Sequence, residues 1–279
     1  TIPAIRQISG LTFYYIPYQF GSFIGPEKYW NEEKVSWITF LPHSQHILNL
    51  PILVLCMVYY HWNKAMLQRE QLSLKVSLIL WNASLALFSL AGTIRMGEET
   101  RFVLRTRPLL DSISYCVDTS QPAAFWACCF AVSKVVELCD TGFIILRKKR
   151  LIVLHWYHHA AVLVYVWHSF QRLVAGCRWF ITMNYAVHSL MYTYYTLTAA
   201  GIRLPRALSI VITTLQTTQM PIGVVISFTV LFYRLQGRIM QQSNDNLLLC
   251  FAIYISFAVL FMNFFQNSYM KKRERNENS

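Results

Sequence analysis

Seven stretches of the chain are apolar over close to the ~20 residues that a helix needs to cross a bilayer. They cover residues 46–62, 76–94, 123–146, 151–170, 179–200, 207–233 and 247–269. The segments between them are short and polar. The pattern therefore predicts an all-α integral membrane protein with seven transmembrane helices. The first stretch is the shortest and suits a tilted or partly interfacial helix. Residues 1–44 mix charged and apolar positions and are expected to form a lumenal N-terminal arm. Their first 30 residues lack a basic region followed by an apolar run, so no cleavable signal peptide is expected. A membrane domain over 45–270 follows, then a basic cytosolic tail over 271–279.

Composition agrees: 55% of the 279 residues are hydrophobic and 14% charged, with a mean hydropathy of +0.35. Charge orients the bundle. Alternate loops and the C-terminus hold Lys64, Arg69, Lys75, the run Arg147-Lys148-Lys149-Arg150, Arg203, Arg206, and Lys271, Lys272, Arg273 and Arg275, against three acidic residues. The positive-inside rule places this side, with the C-terminus, in the cytosol. The net charge of +12 is thus a cytosolic-surface feature. It serves topology and attraction to anionic lipid, or it forms a collar for a phosphate-bearing substrate built from Lys148, Lys149, Arg203, Arg206, Lys271 and Lys272. No basic-aromatic stripe lies outside the spans, so no nucleic-acid partner is expected. Five of the seven cysteines fall within apolar spans, where a thiol packs as a small hydrophobe. A Cys116–Cys177 bridge is compatible with the topology but is not required by the spacing.

The chemistry-bearing residues lie inside the spans. His155, His158 and His159 sit at i, i+3 and i+4, on one helical face. Ionisable groups at the bilayer centre cost about 2.5–3.5 kcal/mol each when charged and mark function by default. The third span carries Lys134, Glu137, Asp140 and Thr141, in which Lys134 and Glu137 can neutralise each other. The fifth carries a stripe of Asn184, His188, Met191, Tyr192 and Tyr195. The sixth carries Thr213, Gln216 and Gln219. At 1.5 Å per residue, all four helices place these groups in one slab, about 10–20 Å below the cytosolic surface. Independent structural bonds do not need a common depth; a single buried site does.

A triple-His cluster also suits a metal. Membrane desaturases and hydroxylases use several such boxes, however, and only four of the eight histidines here can meet. One zinc is conceivable, a fully liganded iron pair is not, and no metal is expected. Imidazoles acting as nucleophile and as acid or base are the alternative. Cys139 is the only thiol in the slab and has no basic partner in sequence reach. A seven-span receptor or transporter, or a metal-dependent membrane oxygenase, remain the competing readings.

Four blocks carry a resemblance. Lys134-x-x-Glu137-x-x-Asp140-Thr141, His155-x-x-His158-His159, Met183-Asn184-x-x-x-His188-x-x-Met191-Tyr192-x-Tyr194-Tyr195 and Thr213-x-x-Gln216-x-x-Gln219 resemble, in order, the signature blocks of the ELO/ELOVL very-long-chain fatty acid elongases. The resemblance implies 3-ketoacyl-CoA synthesis in the endoplasmic reticulum membrane: acyl-CoA plus malonyl-CoA gives 3-ketoacyl-CoA, CO₂ and CoA, with no redox cofactor. It implies six of the seven helices in an inverted barrel around an acyl tunnel. It also implies His158, then His188, as acyl carrier, and membrane lipids as surroundings. The partners it implies are a ketoacyl-CoA reductase, a dehydratase and an enoyl-CoA reductase, with a homodimer as a further expectation. Asp140 is expected to orient an imidazole, and Asn184 and Gln219 to donate to the reacting carbonyl. Arg150, five residues before the first box histidine, and the sequence HWYHH look like the branch that elongates saturated and monounsaturated chains. Two departures stand out: Glu277 and Asn276 occupy the dilysine positions of a retrieval signal, and the 234–246 loop has no Cys to pair with Cys116. A steric stop for the tail is expected among Trp167, Phe170, Trp179, Phe180 and Phe228.

Overall fold

The computed structural model describes residues 3–8, 11–30, 59, 64–66 and 68–266. The first apolar stretch, the arm–membrane boundary near 44, and Lys271 and Lys272 of the tail lie outside them.

The N-terminal arm departs from an all-α reading. Strands β1 (Ala4–Ile8) and β2 (Leu11–Tyr15) form an antiparallel hairpin, with Ile8 opposite Leu11. Its sequence explains this: Leu-Thr-Phe-Tyr-Tyr combines aromatic and β-branched residues, which favours a strand. A short helix α1 (Gly25–Lys28) follows.

Eight further helices are described: α2 (Lys75–Thr106), α3 (Asp111–Ser114), α4 (Pro122–Val136), α5 (Cys139–Leu146), α6 (Val153–Gln171), α7 (Cys177–Ala200), α8 (Arg206–Leu235) and α9 (Asn244–Phe265). Among the described residues, α2, α8 and α9 are long and apolar enough to cross a membrane by length and composition. The chain is thus a multi-pass membrane protein. The site-bearing helices α4 to α7 fall short of that measure, and the reason is physical. The histidines, tyrosines and ion pair that make them interesting lower their hydropathy, and the third apolar stretch is broken in two.

That break occurs at Glu137 and Leu138. There the backbone tightens, with the Leu138 amide donating to the Val135 carbonyl at 3.2 Å and Asp140 to Glu137 at 3.0 Å, the i→i−3 pattern of a 3₁₀ turn. Helix α5 then closes on Lys148, which takes a left-handed φ of 50°. The Lys149 amide bonds the Ile144 carbonyl and the Lys148 amide that of Ile145. This is a Schellman closure with lysine in the position where glycine is usual. The positive charges beyond it complement the carbonyl end of the helix.

Pairwise packing sets the arrangement. Helix α2 packs on α7 and α4, α4 on α6, α6 on α9, α9 on α8, and α8 on α7, so the succession of neighbours returns to its start. One end of the assembly gathers the arm and three connections. The Cys116 amide bonds the Tyr14 carbonyl at 2.9 Å, Ala175 bonds Gln241 at 2.9 Å, and Gln241 bonds Ser114 at 2.8 Å. The other end holds the basic 147–150 turn, where the Leu72 amide bonds the Leu146 carbonyl at 3.1 Å.

Helix α2 runs well beyond the apolar stretch that ended at residue 94, reaching Thr106. Its last turns are charged, yet the first of these charges are paired. Arg95 bonds Glu27 of the arm through Nε at 2.9 Å and also reaches Glu98 at 2.5 Å. Glu27 is only 4% exposed. Burial pushes its carboxyl upward, but bonds from the Trp126 indole, the Phe23 amide and the Arg95 guanidinium outweigh that and hold it below the ordinary value. A lowered folded-state value stabilises the fold above the unfolded carboxyl range and loses that contribution as pH falls through the folded value. Acidification from pH 7 to below about 4, the ordinary glutamate range, should therefore release the arm, read as new proteolytic cleavage between residues 16 and 30. Glu27→Gln should already show that cleavage at pH 7 and respond less to acid; identical acid profiles would refute the role.

Candidate active site

Four helices bring most of the anticipated side chains into one buried region. Lys134 near the end of α4 donates from Nζ to Glu137 Oε1 at 2.6 Å and to Asn184 Oδ1 at 3.1 Å. Ser133 adds a bond to Glu137 at 3.2 Å. Lys134 and Glu137 are 3% and 4% exposed, so the pair neutralises itself, as its i, i+3 spacing implied. Across on α7, Asn184 Nδ2 lies 3.2 Å from His188 Nε2. Because Asn184 Oδ1 accepts from Lys134, its NH₂ group faces the imidazole as donor. His188 Nε2 is then the acceptor, which puts the ring proton on Nδ1, 3.9 Å from Glu137 Oε2. One lysine thus sets both an amide orientation and a tautomer.

Asp140 does something else. Its Oδ1 accepts from the Trp81 indole at 2.5 Å and its Oδ2 from the Tyr192 hydroxyl at 2.8 Å. The tightened turn after Glu137 swings Asp140 away from the Glu137 side, toward α2 and α7. The carboxyl expected to orient an imidazole therefore holds an indole and a phenol instead, and the carboxylate that faces an imidazole is Glu137. Trp81 escapes a reading of the sequence because nothing around it distinguishes it from any other tryptophan in an apolar stretch.

The histidines of α6 form a ladder. His155 Nε2 is 3.3 Å from the Thr141 hydroxyl. The His155 and His159 rings lie 4.5 Å apart, and those of His158 and His159 5.6 Å. His158 packs on Phe257 at 4.8 Å and Phe261 at 6.0 Å, both from α9. His188 and Tyr192 are 5.5 Å apart, and Tyr195 follows Tyr192 at 6.3 Å. Gln216 donates to the Met191 sulfur at 2.9 Å. Thr213 returns its hydroxyl to the Ser209 carbonyl. Gln219 is buried on α8. Among the described residues, no three His, Cys, Asp or Glu side chains are grouped to hold a metal ion.

The region opens toward the basic end. A pocket of about 370 Å³ takes in Asp140, His155, Tyr192 and Tyr195, and its rim carries Arg147 and Lys149. A second pocket shares that rim and adds Lys75. Lys148 lines a separate hollow with Lys149 and Arg150. Arg203 and Arg206 are exposed and line none of these three pockets. Of the residues read as a collar, Lys149 lies on this rim, beside Arg147 and Lys75.

Toward the arm end lies a small apolar cavity of about 60 Å³ whose walls include Phe130, Tyr165, Phe170, Phe180 and Ile181. Of the five bulky residues expected to stop a tail, Phe170 and Phe180 line it. Trp179 instead donates its indole to Ser112 at 2.9 Å, and Phe228 is 57% exposed. Cys116 and Cys177 also line the cavity, both as free thiols. Burial pushes the Cys116 thiol up to about 12, so it stays protonated and is a poor nucleophile at neutral pH. Cys139 is free and exposed.

A membrane bundle with a buried polar slab between a basic mouth and an apolar cavity is suited to a substrate with an anionic head and a greasy tail. Comparison with known sequences agrees. Residues 40–277 match the ELO (GNS1/SUR4) family, and the chain belongs to that family. It is 42% identical over 270 residues to putative fatty acid elongase 4 of Caenorhabditis elegans, covering 96% of this chain and 90% of that protein. It is 43% identical over 213 residues to very long chain fatty acid elongase 6 of Mus musculus, covering 74% and 78%. With very long chain fatty acid elongase 3 of Homo sapiens it shares 38% over 239 residues, or 85% of each. The protein is an enzyme of fatty acid elongation.

Proposed function

We propose that the protein is a 3-ketoacyl-CoA synthase that condenses a long-chain acyl-CoA with malonyl-CoA. The observation that carries this is the slab itself: imidazoles of α6 and α7, an amide oriented by a buried ion pair, a basic mouth on one side and an apolar cavity on the other. In this reading six helices form a barrel around the acyl tunnel. The C-terminus faces the cytosol, in the endoplasmic reticulum membrane.

The reaction proceeds in two steps. An imidazole nitrogen, on His158 first and His188 second, attacks the acyl thioester carbonyl. The C–S bond breaks and CoA leaves with a proton. Malonyl-CoA then loses CO₂, and the resulting enolate carbon attacks the acyl-imidazole, forming 3-ketoacyl-CoA and expelling the ring, which takes up a proton from solvent to return to neutral imidazole. His155 and His159 complete the imidazole ladder. In this reading the second amide hydrogen of Asn184 donates to the developing oxyanion, whereas Asp140 holds Tyr192. No cofactor is needed beyond the two CoA substrates. The product requires reduction, dehydration and a second reduction by partner enzymes. Acyl chains of the saturated and monounsaturated class are the expected substrates.

The test is incorporation of labelled malonyl-CoA by purified protein across acyl-CoA lengths; no incorporation at any length refutes the reading. The mouth adds a second expectation. Phosphate contacts are shared by ground and transition states, so losing them raises KM more than it lowers kcat. Arg147→Ala and Lys149→Ala should each raise KM for acyl-CoA about 5–20-fold, consistent with charge-assisted bonds of roughly 1.5–3 kcal/mol partly screened at an open site. Unchanged KM in both variants and at high salt would leave these charges with topology alone.

A further inference from the structure

The apolar cavity is bounded by aromatic rings, and three of these rings are themselves backed by a second layer. Phe180 stacks at 4.9 Å on Tyr254 of α9, and Tyr254 also meets Tyr165 edge-on at 6.1 Å; Phe180 and Tyr165 both line the cavity. Tyr254 in turn lies over Gly223 of α8. A Cβ built on Gly223 would sit 2.3 Å from the Tyr254 ring. A second part of the lining repeats the arrangement. Phe130 lines the cavity and meets Tyr185 at 5.2 Å. Tyr185 lies over Gly92 of α2, where a Cβ would come within 2.5 Å of the ring. Tyr185 is 2% exposed, and its hydroxyl donates to the Trp126 carbonyl at 3.0 Å, so it has no free space to retreat into.

Resting on the reading that the end of the acyl tail reaches this cavity, we infer that Tyr185 and Tyr254, each seated on a glycine, set the room left for that end and so the longest tail accepted. Each methylene buried adds only about 0.8 kcal/mol, roughly a factor of four, which rewards longer tails steadily and imposes no ceiling. A ceiling needs a wall that cannot yield, because overpacking a filled space costs about 1–3 kcal/mol. Phe130 and Phe180 provide that wall only as long as the tyrosines behind them cannot move. Gly92 and Gly223 fix where the tyrosines stand: a single methyl at either position must displace a ring toward the cavity wall. These four residues touch no reacting group. They act as positioning residues for specificity, one layer behind the lining.

Purified wild type and variants would be incubated with labelled malonyl-CoA and saturated acyl-CoA of increasing length, and the products separated by chain length. Tyr254→Leu and Tyr185→Leu should raise the longest product by one or more two-carbon steps, with rates on the shortest accepted substrate within about twofold of wild type. Gly223→Ala should lower the ceiling by a step, and Gly223→Ala combined with Tyr254→Leu should return it toward wild type. An active wild type with an unmoved ceiling in both Tyr→Leu variants overturns this inference and leaves the condensing activity standing. A shift of Gly223→Ala and Tyr254→Leu in the same direction overturns it as well. A wild type that incorporates no label overturns the underlying functional reading instead. Because Tyr→Leu removes bulk, it decides the matter even if Gly→Ala does not fold.

Discussion

His158→Ala is expected to lose condensation by about 10³-fold or more while the protein stays folded and membrane-inserted. The ring packs against Phe257 and Phe261 rather than holding an ion pair, so its removal leaves a cavity and no orphaned charge. Activity should therefore fall far more than stability. His188 differs. In the tautomer imposed through Lys134 and Asn184, its Nε2 lone pair is directed at the Asn184 amide, which makes it the better-held base and the less available nucleophile. His188→Ala should lower turnover too, but incubation with acyl-CoA alone should still acylate His158 in that variant. Mass spectrometry of wild type after such incubation should find the acyl mass on a peptide containing residues 155–159. An adduct on Cys139, or acylation that survives unchanged in His158→Ala, sinks the assignment.

Much of the site is legible in the sequence because its chemistry is at odds with its surroundings. Histidines and a Lys–Glu pair are costly in apolar helices unless a buried site uses them, and helical spacing alone puts His155, His158 and His159 on one face. The Lys134–Glu137 pairing follows from i, i+3 geometry in the same way. Whatever depends on continuous helix is lost. The 3₁₀ turn at Glu137–Leu138 has no proline or glycine to announce it. The depth of Asp140 suggests that it orients an imidazole, whereas its carboxylate accepts from Trp81 and Tyr192. The basic mouth shows the opposite limit. Sequence places charges at an end of the bundle, but only the backbone course decides that Arg147 and Lys149 turn to the pocket while Arg203 and Arg206 do not. The arm's hairpin is written in the aromatic and β-branched residues of β2, a signal that the much longer apolar stretches overwhelm.

The charges beyond the second apolar stretch lead to the largest expected effect on stability. Arg178 and Glu99 are both 0% exposed. Arg178 Nε meets the Glu99 carboxylate at 2.7 and 2.9 Å. The remaining nitrogens donate to the carbonyls of Ser112 at 2.6 Å, Tyr115 at 3.1 Å and Cys116 at 3.3 Å. One guanidinium therefore neutralises a buried carboxylate from α2 and caps the connection that carries α3, all from the first turn of α7. Lysine, with a single ammonium, has no such fork. Arg178→Ala strands the carboxylate and three carbonyls together. Breaking a buried pair by removing one partner costs about 3–5 kcal/mol, which for a chain of this size is a fall in thermal midpoint on the order of 10 °C. Glu99→Ala should cost less, because Arg178 keeps its three carbonyl partners. Arg178→Met with Glu99→Leu should recover the charge component but not the capping component, and so fall between wild type and Arg178→Ala. Thermal unfolding of the four proteins in one detergent gives the order. A midpoint for Arg178→Ala within about 2 °C of wild type, less than about 1 kcal/mol at this size, would mean that neither the pair nor the cap holds this end of the bundle together.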